Sequence, residues 1–157
     1  MESRYKVSDL MTRKPAMISP KGTVKEAANS MKEGKVGSLL VVENGDLLGL
    51  VTEKDIVIKV ASTDKKPSEF EVKDIMTPKK DLITTSSGQA ISIAMMLMKD
   101  NDVRRLPVLD NDKLVGIITS KDILKIEPDL FEYVYDSYDL KETDRKNKFL
   151  KWKNQAT

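Results

Sequence analysis

The chain repeats itself, and that repeat limits what it can fold into more than any other feature. V-S-D-L-M-T from Val7 to Thr12 returns as V-K-D-I-M-T from Val72 to Thr77, 65 residues later. G-L-V-T-E-K-D-I from Gly49 to Ile56 returns as G-I-I-T-S-K-D-I from Gly116 to Ile123, now 67 residues later. Matches in the same order at both ends mark two homologous units, 7–60 and 72–127, with the two extra residues expected within Thr84 to Gln89. The chain therefore divides into a first repeat over 1–61, a polar linker over 62–71 containing Pro67, a second repeat over 72–127 and a tail over 128–157. Units this small bury too little apolar surface alone, so the copies are expected to pack sheet against sheet about a pseudo-twofold axis.

Periodicity gives both copies the same elements. Val24, Ala27, Ala28 and Met31 recur at helical spacing, as do Ile91, Ala94, Met95 and Met98. The second helix adds Ile93, Met96 and Leu97, an arc wide enough for either deeper burial within the chain or a subunit interface. Leu39 to Val42, Asn44-Gly45 and Leu47 to Val51 predict a hairpin with a type I′ turn. Leu106 to Leu109, Asp110-Asn111-Asp112 and Leu114 to Ile118 predict its counterpart, with Pro107 suited to a strand start or edge. Short helices should follow over Lys54 to Val60 and Lys121 to Ile126, and a short strand should precede each unit's first helix, near Ala16 to Ser19 or Leu82 to Thr84. The fold class is thus α+β, two βαββα repeats followed by a helical tail.

Composition removes most catalytic designs. There is no Cys and no His, hence no thiol nucleophile, thiolate zinc site or imidazole base. The formal charge of +2 is too balanced for the whole surface to be a footprint on nucleic acid or anionic lipid. No stretch approaches the roughly 18 apolar residues of a membrane span, and the amino terminus lacks an apolar signal region, so a cytoplasmic location is expected.

The sharpest recurring constellation is Gly-x-x-Thr-x-x-Asp, as Gly49, Thr52, Asp55 and as Gly116, Thr119, Asp122, each at a strand-to-helix junction. Thr followed three residues later by an acid is the spacing of a capping box. The same geometry suits a ligand: helix-start amides and a Thr hydroxyl attract phosphate, and a carboxylate can bind both hydroxyls of a ribose. Gly would allow close backbone approach. Both readings hold together if the cap faces a cleft.

The openings Met11-Thr12-Arg13-Lys14-Pro15 and Met76-Thr77-Pro78, the hairpins and the two G-h-h-T-x-K-D-I motifs together resemble a tandem pair of CBS domains, a Bateman module, over about residues 5–127. That resemblance implies a non-catalytic sensor that binds AMP, ADP, ATP or S-adenosylmethionine in two clefts between the copies and regulates a protein partner, with no cofactor or metal required and no membrane contact. It also implies a homodimer packed through helices. Carried over by position, one cleft uses Lys14, Pro15, Ala16, Val36 and Gly37 with Ile117, Thr119 and Asp122. The other uses Lys80, Asp81, Val103, Arg104 and Arg105 with Leu50, Thr52 and Asp55. In the implied roles the two Asp carboxylates take ribose hydroxyls, the two Thr hydroxyls support phosphate or ribose oxygens, and Val36, Val103, Leu50 and Ile117 flank the purine.

Arg104 and Arg105 stand where the first copy has Gly37 and Ser38. A guanidinium reaching the cleft would hold phosphate bidentately and favour the Arg104 site, Asp81 working against it; otherwise both are solvated strand-edge charges. Beyond Pro128 the tail holds Phe131, Tyr133, Tyr135, Tyr138, Phe149 and Trp152, with five bases and no acid from Arg145 to Lys153. Leu130, Val134 and Tyr138 would make a covering helical stripe. The alternative reading is an interaction protein whose basic aromatic end binds nucleic acid under nucleotide control. A third, a nucleotide hydrolase using Asp55 or Asp122 with a metal, has no nucleophile or base to support it.

Overall fold

The computed structural model describes residues 3–130, so the expected helical tail lies, beyond Leu130, outside the described residues. The first copy runs α1 (Val7–Leu10), β1 (Met17–Ile18), α2 (Val24–Gly34), β2 (Ser38–Glu43), β3 (Asp46–Thr52) and α3 (Glu53–Ile56). The second runs α4 (Val72–Ile75), β4 (Thr77–Pro78), α5 (Ile91–Asp100), β5 (Arg105–Asp110), β6 (Lys113–Thr119) and α6 (Ser120–Ile126).

Local chemistry accounts for the main elements. Helix α2 starts where Thr23 accepts from the Glu26 amide at 3.1 Å and Glu26 accepts from the Thr23 amide at 2.7 Å, and it buries Val24, Ala27 and Met31. The hairpins turn on Asn44-Gly45 (φ 52° and 84°) and Asn111-Asp112 (φ 49° and 63°), the left-handed pairs a type I′ turn requires. Asp110, expected in the second turn, instead pairs with Lys113 at the end of the ladder.

The helix expected over Lys54 to Val60 forms, α3 running directly into a π-helical turn, Val57–Ala61. Other expectations are corrected. No strand forms at Leu82 to Thr84; Thr85 alone bridges Val108. The reason is Pro107. In the first copy the Leu40 amide donates to Ala16 at 3.0 Å, and at Leu40's register position Pro107 has no N–H to give.

The insertion also moves. Thr12 pairs with Ile117 and Thr77 with Leu50, so the openings are still 65 apart there, whereas Thr85 already matches Ile18 at 67. The two extra residues therefore lie between Thr77 and Thr85, around the 3-10 turn Lys79–Asp81, and not within Thr84 to Gln89.

The same pairings show that the openings are exchanged. Val7 and Met11 complete the second copy's core around Ile91, Met95, Leu106 and Ile118. Val72 and Ile75 complete the first copy's core around Val24, Leu39 and Val51. Backbone bonds fix the exchange, with Val24 N donating to Phe70 O at 3.0 Å and Ile91 N to Tyr5 O at 3.1 Å. Gly49 and Gly116 make room for it: a Cβ on Gly116 would stand 2.7 Å from Thr12 O, and one on Gly49 would stand 2.5 Å from Thr77 O. The close approach foreseen for a ligand is spent on the chain's own backbone.

Sheets β1-β2-β3-β4 and β5-β6 face each other across Leu40, Leu47 and Leu50, with Leu82, Leu109, Leu114 and Ile117 packed alongside. This is the sheet-on-sheet arrangement about a pseudo-twofold axis that the duplication predicts. On α5, Ile93 and Met96 are exposed while Leu97 packs on the second core, so its wide apolar arc is not deeper burial within the described chain.

Candidate functional site

The two Thr-x-x-Asp junctions form the same cap. Asp122 Oδ2 accepts from the Thr119 amide at 2.9 Å and from its hydroxyl at 2.7 Å, while the Asp122 amide donates to Thr119 Oγ1 at 3.2 Å. Thr52 and Asp55 reproduce this at 2.9, 2.9 and 3.2 Å. The capping reading is therefore realised in both copies.

The junctions differ in the other carboxylate oxygen. Asp55 Oδ1 lies 3.0 Å from Lys59 Nζ, which also donates to Ile75 O at 2.7 Å. The register counterpart of Lys59 is Ile126, which has no charge to offer, and Asp122 Oδ1 has no partner among the described residues. Asp122 is thus half-engaged by its cap, with one oxygen open.

That oxygen's side chain borders a cavity of about 660 Å³ between the copies, within the size range of small-molecule sites. The first copy contributes Thr12, Pro15 and Ala16 ahead of β1 and Lys35 to Ser38 between α2 and β2. The second contributes Arg104 and Arg105 at the start of β5, Ile117 and Thr119 of β6, and Ser120, Lys121, Asp122 and Lys125 of α6.

Of the first expected set, Pro15, Ala16, Val36, Gly37, Ile117, Thr119 and Asp122 come together here, while Lys14 is exposed and does not line the cavity. Arg104 and Arg105, expected with Thr52 and Asp55, line this same cavity, because Arg105 pairs with Thr119 and Ser120 N donates to Arg104 O at 2.9 Å. The remaining members of the second set lie elsewhere. Leu50 belongs to the layer between the sheets, and Val103 packs on the second core. Lys80 and Asp81 sit exposed on the 3-10 turn, and the strand register puts Leu82 and Ile83 where Pro15 and Ala16 stand in the first copy.

Sequence reasoning missed Thr12, Lys35, Ser38, Ser120, Lys121 and Lys125. Lys125 was within reach, since it shares the helix face of Asp122 at the i+3 position. Lys35 owes its place to a left-handed residue ending α2 (φ 50°), which spacing does not reveal. Together with the arginines the three lysines give the cavity five cations against one carboxylate. Burial pushes the Arg105 pKa down, Glu53 opposes that and Arg104 adds to it; a guanidinium stays charged at neutral pH regardless.

The arrangement can hold a flat apolar group between Val36 and Ile117, a diol at Asp122 and an anion at the basic wall. Among the described residues no cluster of three His, Cys, Asp or Glu could hold a metal ion, and no helix is long and apolar enough to cross a membrane.

Comparison with known proteins agrees with this architecture. The CBS domain pattern matches residues 7–62 and 72–129. An uncharacterised protein of Methanopyrus kandleri, MK0525, is 40% identical over 78% of this chain, and the matched part spans 62% of that relative's length. The CBS domain-containing protein YhcV of Bacillus subtilis is 34% identical, with 74% of this chain and 81% of the relative covered. Among solved structures, the CBS domain protein NE2398 has a TM-score of 0.70 at 30% identity, covering 76% of this chain and 95% of its own. The CBS domain pair of MJ0100, solved with 5′-methylthioadenosine and S-adenosyl-L-methionine, has a TM-score of 0.70 at 25% identity, covering 79% and 96%. A duplicated βαββα unit, closed by exchanged openings and matched twice along its length, makes this chain a member of the CBS-domain family that carries the domain as a tandem pair.

Proposed function

We propose that the chain is a non-catalytic regulatory module that binds an adenine nucleotide or related adenosine ligand in the cavity between its two CBS copies and signals its occupancy to a protein partner. The observation that carries the reading is Asp122: its cap holds one carboxylate oxygen and leaves the other open beside a cavity walled by both copies. A ribose diol suits that oxygen, and Val36 and Ile117 suit the faces of a purine. The adenosine compounds bound by the CBS pair of MJ0100 support the same ligand class. The hydroxyl of Thr119 is committed to the cap, which favours binding over chemistry.

A ligand touching both copies stabilises their closed arrangement, by about 2.7 kcal/mol at 100 times its dissociation constant. That is the free energy available to bias a partner-binding state. A homodimer packed through helices fits the exposed Ile93 and Met96 of α5 and the exposed Val57, Ile58 and Ile126, and the hexameric CBS-CP12 protein of similar fold supports an assembled state.

The test is a thermal-shift panel of AMP, ADP, ATP, GTP and S-adenosylmethionine on wild type and Asp122→Ala, followed by calorimetry. The reading expects an adenosine ligand to raise the melting temperature of the wild type, and Asp122→Ala to abolish most of that rise. No shift with any adenosine ligand, or an undiminished shift in the variant, would overturn it.

A further inference from the structure

We infer that the two pseudo-equivalent clefts of this module have been made unequal: the cavity at Asp122 takes one polyphosphorylated nucleotide per chain, its phosphates held by Lys35, Lys121 and Lys125, and the counterpart cleft at Asp55 takes no polyanion. This rests on the adenosine-binding reading and adds what the rest of the ligand must be.

The first observation is the surplus of cations. Lys35, Lys121 and Lys125 line the cavity, and their ammonium groups make no hydrogen bond or ion pair among the described residues. Arg104 and Arg105 extend the same wall, and the one carboxylate lining it, Asp122, already accepts from its own cap. Converging cations repel one another, and a ligand carrying several negative charges relieves that repulsion. A sulfonium ligand such as S-adenosylmethionine brings another positive charge to the same wall.

The second observation is the mirror image. The duplication gives each lining residue a register counterpart, and the counterparts cancel the surplus of cations. Lys35 corresponds to Asp102, each holding a left-handed backbone (φ 50° and 55°). Lys125 corresponds to the exposed Ile58, and Ser120 to Glu53. Lys121 keeps its charge as Lys54, and Gly37 and Ser38 correspond to Arg104 and Arg105, so the counterpart set holds three cations against the three carboxylates of Asp102, Glu53 and Asp55. The carboxylate oxygen that Asp122 leaves open is taken in Asp55 by Lys59. A nucleotide entering the counterpart cleft would meet as many carboxylates as cations and would have to displace Lys59 to reach a diol-binding oxygen.

The test is titration calorimetry on the full chain with adenosine, AMP, ATP and inorganic tripolyphosphate. The variants are Lys121→Ala/Lys125→Ala and, separately, Lys35→Asn, which tolerates the left-handed backbone. Expected are one ATP per chain, ATP tighter than adenosine by about tenfold or more, and ATP competed off by tripolyphosphate. Both variants should weaken ATP far more than adenosine, bringing the two to within about threefold of each other. If adenosine binds but ATP gains nothing over it, if two ATP bind per chain with equal affinity, or if the variants weaken adenosine as much as ATP, the inference falls and the adenosine reading stands. If neither adenosine nor any nucleotide binds, both fall.

Discussion

The carbonyl oxygen of Thr12 lies 2.7 Å from the point where a side-chain carbon on Gly116 would stand. Backbone cannot swing aside as a side chain can, so Gly116→Ala must push the first opening away from β6. The expected cost is about 1–3 kcal/mol, the usual range for overpacking, read as a lower urea midpoint with an unchanged slope. Gly49→Ala should behave likewise against Thr77. An unchanged midpoint for Gly116→Ala would mean that the exchanged segment yields without loss.

Thr85 is a buried residue whose hydroxyl meets no hydrogen-bond partner among the described residues, at the position held by Ile18 in the first copy. Thr85→Val keeps the shape and removes the unsatisfied group. Stability should rise by about 1 kcal/mol, visible as a melting temperature higher by roughly 2–4 °C. A destabilised variant would show that the hydroxyl is satisfied in solution.

Ile126→Lys places in the second copy the cation that closes Asp55 in the first. It should tie down Asp122 Oδ1 and weaken adenosine binding by about tenfold, the loss of one charge-assisted hydrogen bond, with little effect on folding because position 126 is exposed. Calorimetry with adenosine checks this; unchanged affinity would remove that oxygen from the binding site.

Asp110 accepts a hydrogen bond from the Ser87 amide at 3.0 Å, and its bonds with Ser87 hold its pKa below the ordinary 3.8. A carboxylate depressed in the folded state contributes stability above its unfolded pKa and loses it as pH falls through the folded value. Below about pH 4 the loop around Ser87 should therefore loosen. Amide exchange at Ser87 between pH 5 and 3 should accelerate relative to other loops after correction for intrinsic rates, and Asp110→Ala should show that looseness already at pH 5. A pH-independent Ser87 would contradict the assignment.

What could be read in the sequence follows the range of each interaction. The caps at Thr52 and Thr119 and the turn at Asn44-Gly45 are decided within four residues, and all formed as their spacing implies. The exchange of openings is a choice between two chemically similar cores separated by more than 60 residues, and nothing local distinguishes Val7 from Val72 as a tenant of either. The misplaced insertion has a related cause: Pro107 withdraws one amide from the ladder, leaving Thr85 as the sole register mark. In the site, the apolar and acidic members were legible because the duplication repeats them. Lys35 and Lys125 were missed because they are where the copies diverge.

The trade of opening segments also fixes the smallest piece of this protein that could stand alone. Severed anywhere from 62 to 69, one fragment would keep a core lacking Val72 and Ile75, and the other a core lacking Val7 and Met11. Neither half owns its own lid. A lone repeat of this design needs a twin to lend it one, so the linked pair is the smallest self-sufficient unit.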